Sequence, residues 1–241
     1  MQPELTTDTP SAVGGSAVPK CVGIIMDGNR RWAKEQGLST LRGHEQGFGK
    51  LKEVLEWAKQ RGIKHLVVYA FSTENWNRSE EEVNYLMDLI RRVFAKGSKE
   101  LEDIKEHGGR LRFVGERSRF APDIQEVLTR VEAETAAGDH TLWIGLSYGG
   151  RAEVLHAAAE LQKSGEPVTE ESFAKHLWTA GMPDPDIIIR TSGEQRLSGF
   201  LPWQGVYSEL FFTKTYWPAF SEAEFDAILA EFALRERRHG K

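Results

Sequence analysis

Runs of apolar residues and helical patterns alternate along most of the chain. Six short apolar runs predict buried strands, at 22–26, 65–71, 111–114, 142–146, 187–189 and 210–212. Apolar positions at helical spacing predict helices at 45–61, 79–104, 123–137, 151–163, 169–179 and 221–238. This order predicts a single α/β domain with a mainly parallel central sheet of about six strands, flanked by helices. Such sheets bind ligands at the carboxyl ends of their strands.

Two of the predicted helices begin with the same signature, a serine followed three residues later by a glutamate. Ser79 and Glu82 open one helix, and Ser221 and Glu224 open the last. In a capping box the serine side chain accepts from the glutamate's backbone N–H, and the glutamate side chain bonds back to the serine backbone. We expect both pairs to have this geometry.

Composition narrows the function classes. Of 241 residues, 40% are hydrophobic and 28% charged, the balance of a soluble globular enzyme. Asp and Glu number 36 against 31 Lys and Arg, and this net charge of -5 argues against general nucleic-acid binding. A single cysteine, Cys21, excludes an internal disulfide and a cysteine-rich zinc site. Residues 1–20, rich in small and polar residues, are expected to form a disordered leader before a domain at 21–241.

The chain shows no membrane or export signal in its sequence pattern. Its apolar runs are far shorter than the roughly 20 residues of a membrane span. No signal-peptide pattern opens it. We therefore expect a cytoplasmic protein.

Three predicted strand ends carry residues suited to a diphosphate and a divalent cation. Asp27 and a pair of arginines follow the first strand, and Arg78 follows the second. Arg190 and Arg196 flank a small-residue loop after the fifth. Guanidinium forks suit phosphate oxygens, and Mg²⁺ takes one or two carboxylates together with substrate phosphates. Their placement at one sheet edge predicts a diphosphate site with Mg²⁺, and Glu209, just before the sixth strand, is a candidate second carboxylate.

Several separate motifs, in the same order, resemble those of the cis-prenyltransferase (isoprenyl transferase) family, most of all its bacterial undecaprenyl diphosphate synthases. They are Asp-Gly-Asn-Arg-Arg-Trp-Ala at 27–33, Gly43-His44, Phe-Ser-Thr-Glu-Asn-Trp-Asn-Arg at 71–78, Arg-Thr-Ser-Gly-Glu-Gln-Arg-Leu-Ser at 190–198, and Glu209. The resemblance runs from about Cys21 to Gly240. It implies a transferase that adds isopentenyl diphosphate repeatedly to an allylic diphosphate, usually farnesyl diphosphate, with cis double bonds. Long products such as undecaprenyl diphosphate serve as cell-wall lipid carriers.

The resemblance also implies roles for individual residues. Asp27 matches an essential Mg²⁺-binding acid, Glu209 a second metal-linked carboxylate, and Asn75 a position assigned as proton acceptor. An amide is a weak base, so diphosphate oxygens or a relayed water are alternative acceptors. Substrate-binding positions are matched by Gly28, Asn29, Arg30, Arg31, Trp32, His44, Ser72, Thr73, Glu74, Trp76, Arg78, Arg190, Arg196 and Ser198.

Two further implications concern partners. Arg238-His239-Gly240 resembles a terminal Arg-x-Gly that reaches the partner subunit's site in relatives, which implies a homodimer. Release of a lipid product implies peripheral contact with the inner membrane face.

A long hydrocarbon product requires an apolar tunnel through the domain. Candidates to line it are Val83, Leu86, Met87, Ile90 and Phe94, facing Val68, Ala70 and Ile144, although an ordinary core has the same pattern. In the family a small residue at the position of Ala70 goes with longer products. His140 and Trp143 are bulky near the expected tunnel floor, so a short- or medium-chain product is the alternative.

Four positions depart from the family's pattern. Thr40 replaces an arginine, with Arg42 nearby, and Gln195 replaces a frequent histidine. Gly199 replaces an asparagine, and Ala219 an aspartate. These departures put substrate affinity and metal geometry in question rather than the reaction class.

Two rival functions are visible. The segment 145–149 matches the G-x-S-x-G nucleophile elbow between a strand and a helix, with Asp184, Asp186 and His239 following in hydrolase order. No HGGG-type oxyanion segment precedes it. A non-catalytic partner subunit is the second rival, and it is opposed by residues that such subunits tend to lose: Asp27, Asn75 and Arg78.

Overall fold

Six parallel strands form the centre of the protein. The computed structural model describes residues 18–235, so most of the predicted leader lies outside them, as do Arg238 and Gly240. The strands are β1 (Cys21–Ile25), β2 (His65–Ser72), β3 (Gly109–Val114), β4 (His140–Tyr148), β5 (Ile187–Arg190) and β6 (Glu209–Phe212). They lie in the order β3-β4-β2-β1-β5-β6, and each neighbouring pair within residues 18–235 is parallel. The predicted α/β class is confirmed.

Helices cover both faces of this sheet. They are α1 (Asn29–Glu35), α2 (Thr40–Gln60), α3 (Glu80–Val93), α4 (Lys99–Glu106), α5 (Pro122–Glu134), α6 (Gly150–Ser164), α7 (Glu170–Lys175) and α8 (Glu222–Leu234). Short 3₁₀ helices occupy Thr73–Asn77, Arg117–Arg119 and Trp217–Ala219. In β1, Val22 and Ile24 join the core packed against α2, α3 and α5, whereas Cys21 and Ile25 face the opposite core. Burial on both faces explains why the strands read as continuous apolar runs.

The helix predictions needed four corrections. The helix predicted at 169–179 is α7, which ends at Lys175. Helix α1 was not predicted, because its seven residues are mostly polar and show no apolar period. Helix α2 begins at Thr40, capped by Ser39, rather than at Glu45. The predicted helix 79–104 is two helices, because Gly97 takes φ +73° and Ser98 caps α4.

Two glycines near the start of α2 lower its helix propensity, so the sequence alone does not predict that the helix begins there. The packing of these glycines explains why they are present. A Cβ at Gly43 would lie 2.4 Å from the backbone oxygen of Asn29. A Cβ at Gly47 would lie 2.3 Å from the Asn29 side-chain oxygen. These glycines let α1 and α2 approach closely, which fixes Asn29 beside the end of β1.

The strand order creates a crevice between β1 and β5. The chain passes from β1 to β2 on one side, and β5 and β6 lie on the other side of β1. Ligands bind at such a switch point, outside the carboxyl ends of the strands. The residue pair Ile25 and Arg190 marks this edge, because the two are aligned across β1 and β5.

Candidate active site

A cleft of about 660 Å³ opens at the carboxyl edge of the sheet. Predicted site residues that line it are Asp27, Asn29, His44, Ser72, Thr73, Glu74, Asn75, Arg78, Arg190 and Ser198. A second cavity of about 790 Å³ shares Asp27 with the cleft and adds Gly28, Arg30 and Arg31. The fold thus brings most of the predicted substrate-binding positions to one edge.

Asp27 lies between two arginines from different parts of the chain. Arg190 donates to one carboxylate oxygen at 2.8 Å, and Arg31 to the other at 3.3 Å. Burial alone would raise the pKa of Asp27, but the hydrogen bond from Arg190 and the charges of Arg190 and Arg31 outweigh it. The net result is a pKa below the usual value. Asp27 is therefore a carboxylate at neutral pH.

Arg190 organises the loop that follows β5. Its guanidinium also donates to the Ser198 hydroxyl at 2.9 Å and to the backbone oxygen of Arg196. Its Nε is buried and has no hydrogen-bond partner among the described residues. Ser198 takes the unusual φ of +49°, and Gly199 takes +80°. This side of the cleft is a cationic wall whose guanidinium is held by Asp27, Ser198 and the backbone of Arg196.

Gly28 makes the turn from β1 into α1. It has φ +105°, and a Cβ there would lie 2.7 Å from the ring of Tyr216. The turn places Arg31 on α1, where it donates to the Ser192 hydroxyl at 2.5 Å as well as to Asp27. These contacts connect the turn after β1, the start of α1 and the loop after β5 around the Asp27 carboxylate.

Asp27 fits a Mg²⁺ ion that arrives with a diphosphate. Within residues 18–235, no three His, Cys, Asp or Glu side chains form a group that could hold a metal. Mg²⁺ does not require such a group, since it commonly takes one or two carboxylates and completes its shell with water and substrate phosphates. Asp27 is an ionised oxygen donor at the cleft, which matches this requirement.

Glu209 does not join Asp27 within one chain. It pairs with Ile187, which pairs with Val22, so Glu209 lies level with the amino end of β1. Asp27 follows the carboxyl end of β1, so along the strand direction the two acids are separated by about 10 Å or more at the usual strand rise. The Glu209 carboxylate instead accepts from Arg235 at 2.6 Å. Within one chain the two acids therefore lie at opposite edges of the parallel sheet, and the role of Glu209 as a second metal-linked carboxylate stays a prediction.

The segment after β2 divides its residues between the cleft and the core. Asn75 lines the cleft, but its side-chain oxygen accepts from the backbone N–H of Ser72 at 3.0 Å. Trp76 turns inward, where its ring packs against Phe71 with centroids 4.9 Å apart. Its indole N–H donates to the Ser147 hydroxyl at 2.9 Å. Trp76 therefore supports the segment from beneath, and Asn75 is committed to a backbone cap.

The same contact argues against the hydrolase rival. Ser147 is fully buried and accepts from Trp76, so it is not an exposed nucleophile. Asp186 accepts from the backbone N–H groups of Lys20 and Cys21 at the amino edge of the sheet. His239 lies outside the described residues. The G-x-S-x-G match is a strand end with Ser147 at φ +49°.

Other predicted residues lie at the periphery. Trp32 is half-buried on α1 and is not among the residues that line the cleft. Arg196 is exposed and pairs with Glu194 at 2.5 Å. Arg42 pairs with Glu45 at the surface, at 2.6 Å, so it is held away from the position that Thr40 leaves without an arginine.

Glu82 was missed as a site residue. Its backbone N–H donates to Ser79, but the side chain does not return to the Ser79 backbone. The carboxylate instead lies 2.9 Å from His44 Nε2 and accepts from Arg78 at 2.8 Å. The Ser221 and Glu224 pair, in contrast, forms the complete capping box that the sequence predicted. Only the placement of α2 against α3 distinguishes the two glutamates.

The start of α6 was also missed. Gly149, Gly150 and Arg151 line the cleft directly after β4. A Cβ at Gly149 would lie 2.5 Å from the Thr73 hydroxyl, so a side chain there would push into the segment after β2. Two glycines followed by an arginine at the end of a strand are a sequence signal for an anion-binding position. The same segment also matches the hydrolase motif, which points to a different function.

Two apolar cavities lie next to the cleft, between the sheet and helices α2, α3 and α4. The first, of about 130 Å³, shares His44 and Ala70 with the cleft. The second, of about 420 Å³, shares Leu51, Phe94 and Ile144 with the first. Of the residues predicted to line a tunnel, these cavities contact Leu86, Ile90, Phe94, Ala70 and Ile144, whereas Val83, Met87 and Val68 are not among the lining residues.

The far cavity has a polar end. His140 lines it, with Nδ1 2.7 Å from Asp139 and Nε2 3.4 Å from the Lys64 ammonium. Trp143 was expected at the same floor but belongs to the core on the other face of the sheet. Residues 140 and 143 are an odd number apart in a strand, so they point to opposite faces.

Comparisons with known proteins agree with this architecture. A family model described as putative undecaprenyl diphosphate synthase matches residues 25–240. An isoprenyl transferase from Thermus thermophilus is 44% identical over 93% of this chain and 89% of its own length. One from Neisseria gonorrhoeae is 41% identical over 98% of this chain and 95% of its own.

Solved structures give the same result. Lavandulyl diphosphate synthase from Lavandula x intermedia, in complex with dimethylallyl diphosphate, superposes with a TM-score of 0.87 at 32% identity. It covers 93% of this chain and 99% of its own. A probable undecaprenyl diphosphate synthase from Campylobacter jejuni gives 0.79 at 32% identity, with 92% and 99% coverage.

The fold and the arginine-lined cleft define a transferase of isoprenoid biosynthesis that acts on prenyl diphosphates. The chain belongs to the prenyltransferase family described as putative undecaprenyl diphosphate synthase. No helix within residues 18–235 has the length and apolar character to cross a bilayer.

Proposed function

We propose that the enzyme condenses isopentenyl diphosphate repeatedly onto an allylic diphosphate, with farnesyl diphosphate as the expected primer. Each step forms a cis double bond, and the product is a long-chain polyprenyl diphosphate such as undecaprenyl diphosphate. The observation that supports this proposal is adjacency: an arginine-lined cleft shares His44 and Ala70 with an apolar cavity of about 130 Å³. A polar head and a growing hydrocarbon need these two environments side by side.

Charge in the cleft suits departure of a diphosphate. As the allylic carbon–oxygen bond breaks, negative charge grows on the leaving group and positive charge on the allylic carbon. Fixed cations stabilise the leaving group without reorganisation at that moment. Arg31 and Arg190 are already held in place around Asp27, so these residues are preorganised for the task. Arg78 supplies a third cation from the other side of the cleft.

Asp27 would hold Mg²⁺ together with substrate phosphate oxygens, and the ion would add positive charge at the leaving group. Asp27 suits this role because its low pKa keeps it ionised. Removing the ion with EDTA is expected to abolish turnover.

The attacking double bond must lose a proton after the new carbon–carbon bond forms. Asn75 is an amide whose oxygen already caps Ser72, so it is a weak candidate for the acceptor. His44 lines both the cleft and the first apolar cavity, and burial together with the charges of Arg78 and Arg30 keeps its pKa below the usual value. A neutral imidazole at that junction suits proton transfer. Diphosphate oxygens are the alternative acceptor.

Product length is proposed from the cavities. The small side chain of Ala70 lies where the cleft and the first apolar cavity meet, and the second apolar cavity lies next to the first. These features favour a long product. The polar end at His140, with its Asp139 and Lys64 partners, favours the alternative of a medium-length chain. The sizes of the products decide between the two.

We also infer a homodimer in the cytoplasm that touches the membrane surface when it releases its lipid. Leu210 and Phe212 on the edge strand β6 are 38% and 37% exposed, and Val206 beside them is 67% exposed. An apolar sheet edge of this kind suits a second copy of the chain. Light scattering of the purified protein tests the dimer, and co-sedimentation with lipid vesicles tests the membrane contact.

The proposed reaction is tested by incubating purified protein with farnesyl diphosphate, labelled isopentenyl diphosphate and Mg²⁺, with and without EDTA. Products are dephosphorylated and sized by mass spectrometry. A Mg²⁺-dependent ladder ending near fifty-five carbons, about eleven isoprene units, supports the long-chain proposal. A shorter ladder supports the medium-chain alternative. No product from farnesyl or geranyl diphosphate would contradict the proposed reaction.

A further inference from the structure

Glu82 is a buried acid beside the cleft, and its side chain bonds to residues outside its own helix. It lies in the first turn of α3 and is only 6% exposed. A buried carboxylate is costly unless it is paired and hydrogen-bonded. As an N-terminal cap its side chain would have satisfied backbone donors of its own helix, yet it reaches out to other elements.

Three cationic or ionisable residues converge on this one carboxylate. Arg78 donates to it at 2.8 Å from the segment before α3, and His44 meets it at 2.9 Å from α2. Arg30 on α1 lies 3.9 Å away. Each of these residues lines the cleft or the cavity joined to it. Glu82 therefore connects three walls of the site from beneath.

The contact with Glu82 determines which nitrogen of His44 carries the proton in the neutral ring. An ionised carboxylate only accepts, so the pair assigns the imidazole proton to Nε2. In the neutral ring the lone pair is then on Nδ1. Within residues 18–235 no group hydrogen-bonds to Nδ1. A ring held in this way keeps an acceptor nitrogen on a residue that lines both the cleft and the first apolar cavity.

Arg78 is held by the same carboxylate. Glu82 receives one of its terminal N–H groups, and in the described part of the chain no other side chain bonds to this guanidinium. The other donors are left for a ligand in the cleft. Without Glu82, the desolvated Arg78 and the nearby Arg30 would repel each other and lose their orientation.

We propose that Glu82 is a positioning residue for prenyl transfer, which orients His44 through Nε2 and holds Arg78 toward the diphosphate. This inference rests on the proposed function of the cleft. It assigns the acid an indirect role, because Glu82 itself does not line the cleft.

The test compares Glu82→Gln with Glu81→Gln. Glu81 is exposed in the same helical turn, and it makes no hydrogen bond or ion pair with a described residue. Both changes remove one negative charge near the start of α3. We expect Glu82→Gln to lower kcat/KM roughly 10- to 100-fold, because the buried donors lose a charged partner. Glu81→Gln should stay within about twofold of the wild type. Equal activities of the two variants would overturn the proposal.

Two further measurements distinguish a positioning role of Glu82 from a purely structural one. They are the energetic coupling between Glu82 and His44 and the partial rescue of activity by a conservative variant. If Glu82 acts through His44, the double variant with His44→Gln should lose much less than the product of the two single losses. Glu82→Asp, which keeps the charge, should recover part of the activity. Strictly multiplicative losses would contradict the proposal.

A measurement on the wild type keeps the proposal testable if Glu82→Gln does not fold. Nitrogen-15 NMR of the histidines should show His44 protonated on Nε2 and unprotonated on Nδ1 in the neutral form. An Nδ1-protonated ring would overturn the proposal. Because this readout needs no turnover, it stands even if the wild type transfers no prenyl group, so the two failures are distinguishable.

In a folded Glu82→Gln variant, NMR titration gives a second readout. Glu82 raises the pKa of His44 against burial and the charges of Arg78 and Arg30. Loss of the carboxylate should therefore move that pKa further down. An unchanged His44 pKa in the variant would contradict the contact on which the proposal depends.

Discussion

The two edges of the sheet each carry a carboxylate–arginine pair, and the pairs look alike until their arginines are compared. Asp27 and Glu209 are 30% and 29% exposed, and their arginines lie at 2.8 Å and 2.6 Å. Arg190, however, is 6% exposed, whereas Arg235 is 34% exposed. At the carboxyl edge the cation is withdrawn from water, and at the amino edge it is solvated.

This difference separates a binding site from a surface ion pair. A solvated guanidinium needs no partner, and exposed pairs contribute little to stability. A buried guanidinium depends on its anions, because leaving it unpaired costs its desolvation. Arg190 also bonds to Ser198 and lines the cleft, so its positive charge lies beside a phosphate that binds there. Glu209 and Arg235 offer no comparable site.

The largest expected effect comes from removing the Asp27 charge. Asp27→Asn keeps the shape of the side chain but loses the anion that faces two arginines and would hold Mg²⁺. We expect prenyl transfer to fall by roughly 1,000-fold, the scale of losing a principal electrostatic group in a site. Labelled isopentenyl diphosphate incorporation measures the loss, and urea unfolding verifies that the variant is folded. Near-normal incorporation at saturating Mg²⁺ would remove Asp27 from the chemistry.

The arginines of the two pairs should respond very differently. Arg190→Ala removes a buried donor from the cleft and should raise the KM for isopentenyl diphosphate about 10- to 100-fold. Arg196→Ala, from the exposed end of the same loop, should raise it less. Arg235→Ala is the matched control from the amino edge, and its KM should be unchanged. If Arg190→Ala and Arg235→Ala had the same KM for isopentenyl diphosphate, the proposed functional difference between the two edges of the sheet would be wrong.

Much of the fold was predictable because its strands are buried on both sides. All six strands were located to within a few residues, since continuous apolar runs leave little choice. Helix α1 was not, because its seven residues are mostly polar and only Ala33 is buried. The start of α2 was missed because the packing of Gly43 and Gly47 against Asn29 is a tertiary contact. Local propensity does not contain that information.

The residues of the candidate site were likewise predictable where local sequence decides their position, and not where tertiary packing does. Residue type and strand-end position were enough to bring Asp27 and Arg190 together. They were not enough to test the metal role of Glu209, which the family resemblance implied, because a residue at the start of a parallel strand lies at the other edge. Nor did they distinguish Glu82 from Glu224, whose local sequences predict the same cap. The missing fact was which helix packs beside each glutamate.

The pH dependence of the free energy of unfolding gives a further test of the ion pair between Asp27 and Arg190. The pKa of Asp27 is lowered on folding, despite burial, by Arg190 and Arg31. Its ionisation therefore stabilises the fold above the unfolded value of about 3.9, and this contribution is lost as pH falls through the lower folded pKa. We expect wild type to exceed Asp27→Asn by about 1–3 kcal/mol at pH 7. In urea unfolding the gap should shrink in strong acid, and a gap independent of pH would contradict the ion pair as its source.

The smallest effect should come from Glu209→Gln. The substitution removes an anion whose partner, Arg235, also pairs with Glu231 at 2.5 Å and lies over the ring of Phe211. Arg235 therefore keeps other contacts and water, and stability should change by less than about 1 kcal/mol. Activity of one chain's site should change less than about twofold, because the carboxylate is at the edge opposite Asp27. A large loss would mean that Glu209 serves a site reached from outside its own chain, and assaying mixtures with Asp27→Asn would show whether that site belongs to a second copy.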